Sequence, residues 1–344
     1  MPELRQSRVT KDWVIVATDR AKRPHEFRLQ RSKRELPPHD PACPFCPGNE
    51  GNTPPETFAY RDGLAAANSS SWRIRVVPNK FRALASSGSF DRQSVNGFYR
   101  RMDGVGIHEV VVESPLHNVS IGTMPGSQVE EVFLAYRERY NAIWKDGRFS
   151  TVIIFRNHGV AAGTSLEHPH SQLIATPIVP THIRRLLDEA MRYFDDHGSC
   201  VFCDTLAVER RTVERVILET ENFFVYAPYA SQSPFETCIV PKKHNACFGS
   251  ASELETRELA NVVRLVLKRM NEKLNDPDYN YVIHTAPFKD ANEDYYHWSI
   301  QILPRLTTQA GFELGSGISI TTAVPEESAK FLREENGKTQ GASA

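Results

Sequence analysis

His168-Pro169-His170-Ser171-Gln172 is the stretch on which the reading of this chain turns. Side chains alternate along an extended strand, so positions 168, 170 and 172 fall on one face. Pro169 has no N–H for a ladder hydrogen bond, which favours a strand start or a sheet edge. Leu173 and Ile174, followed by Ala175-Thr176-Pro177, read as a strand running into a turn. Two imidazoles and an amide on one face, preceded by Gly163-Thr164-Ser165, suit an anionic ligand and a histidine that is a nucleophile or a metal ligand. An isolated His-x-His is more often a plain surface strand, and the rest of the chain decides against that.

With 344 residues, the chain is longer than the roughly 250–300 at which a single core stops growing. Two lobes are therefore expected, a module over 1–180 that carries the motif and a second over 181–344. A hydrophobic content of 40% is ample for a core, and a net charge of −1 provides no basic field for nucleic acid or a membrane surface. The N-terminal residues lack an apolar leader, and no segment approaches ~18 continuous apolar residues, which predicts a cytoplasmic protein.

Four of the six cysteines form two Cys-x-x-Cys pairs, Cys43/Cys46 and Cys200/Cys203, while Cys238 and Cys247 read as ordinary packed thiols. In a reducing compartment such pairs are metal or redox sites before they are disulfides. Redox chemistry is the weaker reading, because neither pair opens an obvious helix that would depress a thiol pKa.

The chain reads as one plan written twice. Cys43/Cys46 lead to strands at 73–78 and 108–113, to His117, to a helix opened by Ser127-Gln-Val-Glu130, to a strand at 151–155 and to the His168 motif. Cys200/Cys203 lead to strands at 223–228 and 237–241, to His244, to a helix opened by Ser252-Glu-Leu-Glu255, to a strand at 280–284 and to His297-Trp-Ser-Ile-Gln301. Both helix starts have capping-box spacing. His117 lies 51 positions before His168, and His244 lies 53 before His297. The second copy keeps the outer residues of His-x-His-x-Gln and has Ser299 where the first has His170, so one half reads as active and the other as degenerate. An amphipathic helix over 181–197, ended by Gly198, connects the modules. Segments 31–41 and 84–97 read as polar loops, and the tail after about Glu327 as frayed.

Structural zinc takes four ligands in a tetrahedron, and Cys₂His₂ is a common set. The modules offer Cys43, Cys46, His117, His168 and Cys200, Cys203, His244, His297, hence two zinc ions per chain. His108, His158 and His284 stand as alternatives for the third ligand. Around His170, Gly163 permits close backbone approach, and Thr164, Ser165 and Gln172 can donate to phosphate. A neutral imidazole is a competent nucleophile when its other nitrogen is tied to an acceptor.

Cys-Pro-Phe-Cys, His117 and His-Pro-His-Ser-Gln together resemble the galactose-1-phosphate uridylyltransferase family of the histidine-triad-like superfamily. The likeness runs from Arg20-Ala-Lys-Arg-Pro24 to Gly311-Phe-Glu313. The second Cys-x-x-Cys and Asn157-His-Gly-Val-Ala-Ala-Gly-Thr-Ser165 look closer to its plant-type ADP-glucose phosphorylase branch. The resemblance implies an α+β fold of duplicated modules, two mainly antiparallel half-barrel sheets with packed helices. It makes His170 the nucleophile that becomes nucleotidylated, Gln172 the amide on the phosphates and Ser165 a hydroxyl on the phosphate bridge. Arg20 and Arg23 match a basic pair near the diphosphate, and Asn79 and Asn157 match nucleotide-side contacts. Thr308, Phe312 and Glu313 match a segment lent by the other subunit of a homodimer.

The implied activity is ping-pong exchange of a nucleotide between a nucleoside diphosphate hexose and a hexose 1-phosphate. The alternatives are adenylyl transfer to phosphate, as in an ADP-glucose phosphorylase, and hydrolysis of dinucleotides. A zinc ribbon on nucleic acid fails on charge and on the lack of a basic, aromatic-interleaved strip.

Overall fold

The computed structural model describes residues 1–20, 22–28 and 35–334, with Arg20 in its backbone only. The first half contains β1 (Glu3–Gln6), β2 (Trp13–Val16), β3 (Phe58–Arg61), β4 (Trp72–Pro78), the small hairpin β5 (Gln93–Val95) and β6 (Tyr99–Arg101), β7 (Ile107–Val112), α1 (Gly126–Asp146), β8 (Thr151–His158) and β9 (His170–Thr176). After α2 (Thr181–His197) come α3 (Val201–Thr212), β10 (Val216–Glu219), β11 (Phe223–Tyr226), β12 (Thr237–Pro241), α4 (Glu253–Leu274), β13 (Tyr279–His284) and β14 (Ser299–Pro304). The chain closes with α5 (Gly311–Ser316), β15 (Ser319–Thr321) and α6 (Pro325–Arg333).

The fold is α+β and mainly antiparallel, with helices packed on the sheet, as the resemblance implied. The sheets of the two halves meet edge to edge. β8 pairs with β13, placing Phe155 opposite Val282, and the result is one ten-stranded sheet in the order β10-β11-β12-β14-β13-β8-β9-β7-β4-β3. One face carries α1 and α4, whose apolar stripes form a single core with Ile154, Leu173, Ile283 and Ile300. Each such side chain is worth about 1.5–3 kcal/mol on full burial, which makes this shared core the main adhesive between the halves. His170 and Gln172 point to the opposite face, which α3 covers over β11 and β12 with Leu206 against Phe224, Tyr226 and Val240.

The structure departs from the sequence reading in several places. Ser127 does not cap α1, which starts at Gly126 behind Pro125 with no side-chain cap. Glu130, the other member of the expected box, instead accepts from Arg257 and Asn261 on α4. At α4 the box forms in full, with Ser252 Oγ accepting from Glu255 N–H and the Glu255 carboxylate accepting from Ser252 N–H. Segment 84–97 is a loop only in part, since β5 lies within it, and 31–34 fall outside the described residues. Residues beyond Glu327 continue a helix to Arg333, because Ala329 and Leu332 are buried in the core, while 335–344 fall outside the described residues.

These two helix starts make a matched pair. Ser252→Ala should lower unfolding stability by about 1 kcal/mol, whereas Ser127→Ala should stay within about 0.5 kcal/mol of the parent. Urea unfolding of the two variants side by side checks this.

Candidate active site

Two tetrads of soft ligands converge, one per half. The ligand atoms of Cys43, Cys46, His117 and His168 lie within 4.8 Å of one another, as do those of Cys200, Cys203, His244 and His297. Cys46 Sγ is 3.5 Å from His117 Nδ1 and 3.5 Å from His168 Nδ1. Cys203 Sγ is 3.4 Å from His244 Nδ1 and 3.6 Å from His297 Nδ1. Around a tetrahedral ion with Zn–S of ~2.3 Å and Zn–N of ~2.1 Å, sulfur and nitrogen stand about 3.6 Å apart, so both sets fit such an ion. Backbone N–H groups of Phe45 and Asp40 point at the sulfurs of Cys43 and Cys46. Burial pushes the Cys43 thiol up to about 11, and a cation held by the four ligands would supply the charge that favours its thiolate.

The second pair corrects the sequence reading, because Cys200 sits at the N-cap of α3. Its thiol is pulled down to about 3, first by Cys203 and then by the His244 and His297 rings. The alternative ligands take other partners: His108 is bonded to Gln172, His158 to Asp276 and His284 to Gln301.

His168 joins the first tetrad to the motif. Its Nε2–H donates to the Ser114 carbonyl at 2.8 Å, which turns Nδ1 toward the sulfurs. Its own carbonyl oxygen accepts from His170 Nδ1 at 2.8 Å. A carbonyl can only accept, so the His170 proton sits on Nδ1 and the lone pair on Nε2. β9 starts at His170, two residues later than strict alternation assumed, yet both rings share a side, with the Phe45 ring 6.0 Å from His168 and 5.4 Å from His170. Burial pushes the His170 pKa down, which keeps the ring neutral at pH 7.

His170, Asn157 and Thr164 line a cleft of about 830 Å³ where β8 and β9 part, together with Arg156, His158 and Asp278. The loop between the strands is held by Asp278, which accepts from Ala161 N–H at 2.7 Å. Gly159 makes that approach possible. At φ +83°, a Cβ there would stand 2.2 Å from the Asp278 carboxyl carbon.

Gln172 lies one step along the strand. The Ala83 N–H donates to His108 Nδ1, so His108 Nε2 carries the proton and donates to Gln172 Oε1 at 2.7 Å. Asn79 Nδ2 reaches the same oxygen at 3.5 Å. Among the described residues nothing takes the Gln172 Nε2 protons, which stay available to a ligand. The second half reverses this. Gln301 donates its Nε2 to Glu236 at 2.6 Å and turns its oxygen to His284 Nε2 at 3.0 Å.

The remaining sequence candidates lie apart. Gly163 closes a turn at φ +85°, and both it and Ser165 are exposed beside the cleft. Arg23 is exposed ahead of the turn Pro24–Phe27 and is not among the residues lining the cleft. The Arg20 side chain lies outside the described residues. Thr308, Phe312 and Glu313 stand at and before α5, away from the cleft of their own chain, with Phe312 half exposed. Sequence reasoning missed Arg156, Glu113 and Asp278. The signal for the first two was a charge closing an otherwise apolar strand, Ile-Ile-Phe-Arg156 and Val-Val-Val-Glu113.

Residues 1–180 match the galactose-1-phosphate uridyl transferase N-terminal domain, and residues 187–318 match its C-terminal domain. The chain belongs to the galactose-1-phosphate uridylyltransferase family. It is 36% identical to an ADP-glucose phosphorylase of Arabidopsis thaliana over 97% of this chain and 93% of that one. To a galactose-1-phosphate uridylyltransferase of Thermotoga maritima it is 29% identical, over 97% and 98% of the two chains. The crystal structure of an Arabidopsis ADP-glucose phosphorylase with bound ADP-glucose superposes with a TM-score of 0.80 at 33% identity, covering 97% of this chain and 99% of that one. A uridylyltransferase structure superposes at 0.74 with 25% identity, covering 97% of each. The chain is thus a nucleotidyltransferase of this family.

Gly159→Ala sets a Cβ against Asp278 in a backbone conformation that favours glycine. It should cost about 1–3 kcal/mol and shift the amide resonances of 159–165 more than those of α4. Thermal unfolding and NMR of the variant check this.

Proposed function

We propose that the chain exchanges a nucleotidyl group between a nucleoside diphosphate hexose and a hexose 1-phosphate by ping-pong through a nucleotidyl-His170. The carrying observation is the His170 ring, with Nδ1–H tied to the His168 carbonyl and the Nε2 lone pair left for the cleft. Nε2 attacks the α-phosphorus, a P–N bond forms, the α–β bridging P–O bond breaks, and hexose 1-phosphate leaves with the electron pair. A phosphate oxygen of the incoming hexose 1-phosphate then attacks the same phosphorus and expels the imidazole.

Gln172 Nε2 donates to the phosphate, and Ser165 and Thr164 reach its bridge, with Gly163 allowing close backbone approach. Asn79 and Asn157 serve the nucleotide side, while Arg20 and Arg23 lie toward the diphosphate. Cys43, Cys46, His117 and His168, and Cys200, Cys203, His244 and His297, would each hold one zinc ion, whose role would be to stiffen the strand start at His170 and its counterpart in the second module rather than to take part in the transfer. The working protein is a cytoplasmic homodimer of modules 1–180 and 181–344, in which Thr308, Phe312 and Glu313 complete the partner's site. Exposure of Phe312 and Leu314 supports that placement. Among the described residues no helix is long and apolar enough to cross a membrane.

A second reading keeps the first half-reaction and changes the acceptor, passing an adenylyl group to inorganic phosphate. The second Cys₂His₂ tetrad and the 36% identity to an ADP-glucose phosphorylase favour it. Incubation with α-phosphate-labelled UDP-glucose and ADP-glucose, followed by discharge with galactose 1-phosphate, glucose 1-phosphate, phosphate or water alone, separates the acceptors.

His170→Asn should stay folded and bind the nucleotide sugar, but retain less than about a tenth of the exchange rate, a loss above about 1.4 kcal/mol of transition-state stabilisation. A variant that exceeds this rate, or a label on another residue, removes the assignment. Elemental analysis should find two zinc per chain, with Cys43→Ser and Cys200→Ser each losing one. Chelation should cost several kcal/mol of stability, since structural zinc contributes up to the order of 10 kcal/mol in apparent terms.

A further inference from the structure

Beneath the motif, on the helix-covered face, lies a buried polar network. Arg156 and Glu113 are 2% and 0% exposed, with Nε 2.9 Å from one carboxylate oxygen and 3.1 Å from the other. Arg156 Nη1 donates to Tyr279 OH at 2.9 Å. Tyr136 OH contacts Glu113 Oε1 at 3.2 Å, Ser171 Oγ at 2.7 Å and Tyr281 OH at 2.6 Å. The Glu113 N–H donates to the Pro169 carbonyl at 3.0 Å. Ser171, after His170, is thus joined to the ion pair through Tyr136, and Pro169, before it, is held by the main-chain N–H of the residue that carries the carboxylate.

The second half of the chain shows what the architecture alone requires at these positions. Gln172 and Gln301 hold matching register: Gln172 pairs with Val110 and Phe155, Gln301 with Cys238 and Val282. Counting from those pairs, Glu113 matches Pro241, Arg156 matches Ile283 and Ser171 matches Ile300. The buried positions of α1 map onto those of α4 by a constant shift, Val132 to Leu259, Tyr140 to Leu267 and Ile143 to Met270, so Tyr136 matches Val263. All four counterparts are apolar and buried. The same fold thus packs this place without a charge where Ser299 stands in for the nucleophile. A buried ion pair is seldom more stabilising than well-packed apolar side chains, so its presence in one half alone calls for a role other than stability.

We infer that Glu113, Arg156 and Tyr136 are positioning residues that hold the strand at His170, Tyr136 by its bond to the Ser171 hydroxyl and the Arg156–Glu113 pair by anchoring the residue whose N–H binds Pro169, so that Nε2 is aimed before the substrate arrives. This rests on the reading of His170 as the nucleophile. Positioning is prepaid in folding and is felt in the transfer step, not in ground-state binding, and a displacement of about 1 Å can cost on the order of 100-fold in rate.

The test transplants the second half's solution. Glu113→Leu with Arg156→Ile, and separately Tyr136→Phe, are compared with the parent in single-turnover labelling by α-phosphate-labelled UDP-glucose or ADP-glucose, whichever labels the parent. Equilibrium binding of the same sugar to the His170→Asn forms is measured alongside. The expected result is labelling slowed by about 30-fold or more in the double variant and about 10-fold in Tyr136→Phe, with dissociation constants within about threefold. Arg156→Lys, which keeps the cation, should recover most of the rate. Labelling within about threefold of the parent in the folded double variant overturns the inference, as does a loss that appears wholly in binding. If the double variant does not fold, Tyr136→Phe decides alone by the same criteria. A parent that is labelled elsewhere than His170 overturns the nucleophile reading itself, a result distinct from fast labelling of the network variants.

Discussion

The main chain and ring of His168 are the constraint on which the site depends. Nδ1 faces the first tetrad, Nε2 donates to Ser114, and the carbonyl takes the His170 proton. Three directional bonds at one residue leave the strand start no freedom to rotate. They also select the His170 tautomer through a neutral acceptor bonded to the ring. A carboxylate in that place would have favoured the imidazolium, and with it a ring without a lone pair. A carbonyl orients the ring without favouring its charged form.

Duplication supplies the second constraint. A lone module would end its sheet at β8 or β13, each presenting a row of unpaired N–H and C=O groups. Pairing them across Phe155 and Val282 removes both edges at once and sets α1 against α4 over one core. The outer edges that remain, β3 and β10, are four residues each, too short to recruit another strand easily. The second half is therefore part of the same sheet and core even though Ser299 stands where the first half has His170, and its β13 lends Tyr279 and Tyr281 to the network beneath His170.

Much of this was legible from pattern. The stripes of α1 and α4, the exact span of α2 with Gly198 at φ +69°, and both tetrads follow from periodicity, breakers and duplicated spacing. What escaped has physical causes. Local spacing suggested a cap at Ser127, but Glu130 finds stronger partners on α4, a choice only tertiary structure makes. Cys200-Val-Phe-Cys203 does not read as a helix start because α3 is short and its N-cap is a cysteine with no side-chain cap bond. Glu113 and Arg156 close apolar strands, where alternation alone would assign a charge to water. Their burial depends on finding each other across the sheet, and no one-dimensional pattern carries that.

The two glutamines show how one fold turns the same side chain in opposite ways. By register His108 and Glu236 occupy matching places, each beside its glutamine. An imidazole whose Nε2–H is fixed by Ala83 takes the oxygen of Gln172 and leaves two amide protons facing the open side. A buried carboxylate takes a proton of Gln301, turns the oxygen outward to His284 and adds negative charge of its own. The two amides therefore differ through two changes of residue type, imidazole to carboxylate from His108 to Glu236 and amide to imidazole from Asn157 to His284, and an anion placed against each would meet donors in the first half and a carboxylate in the second.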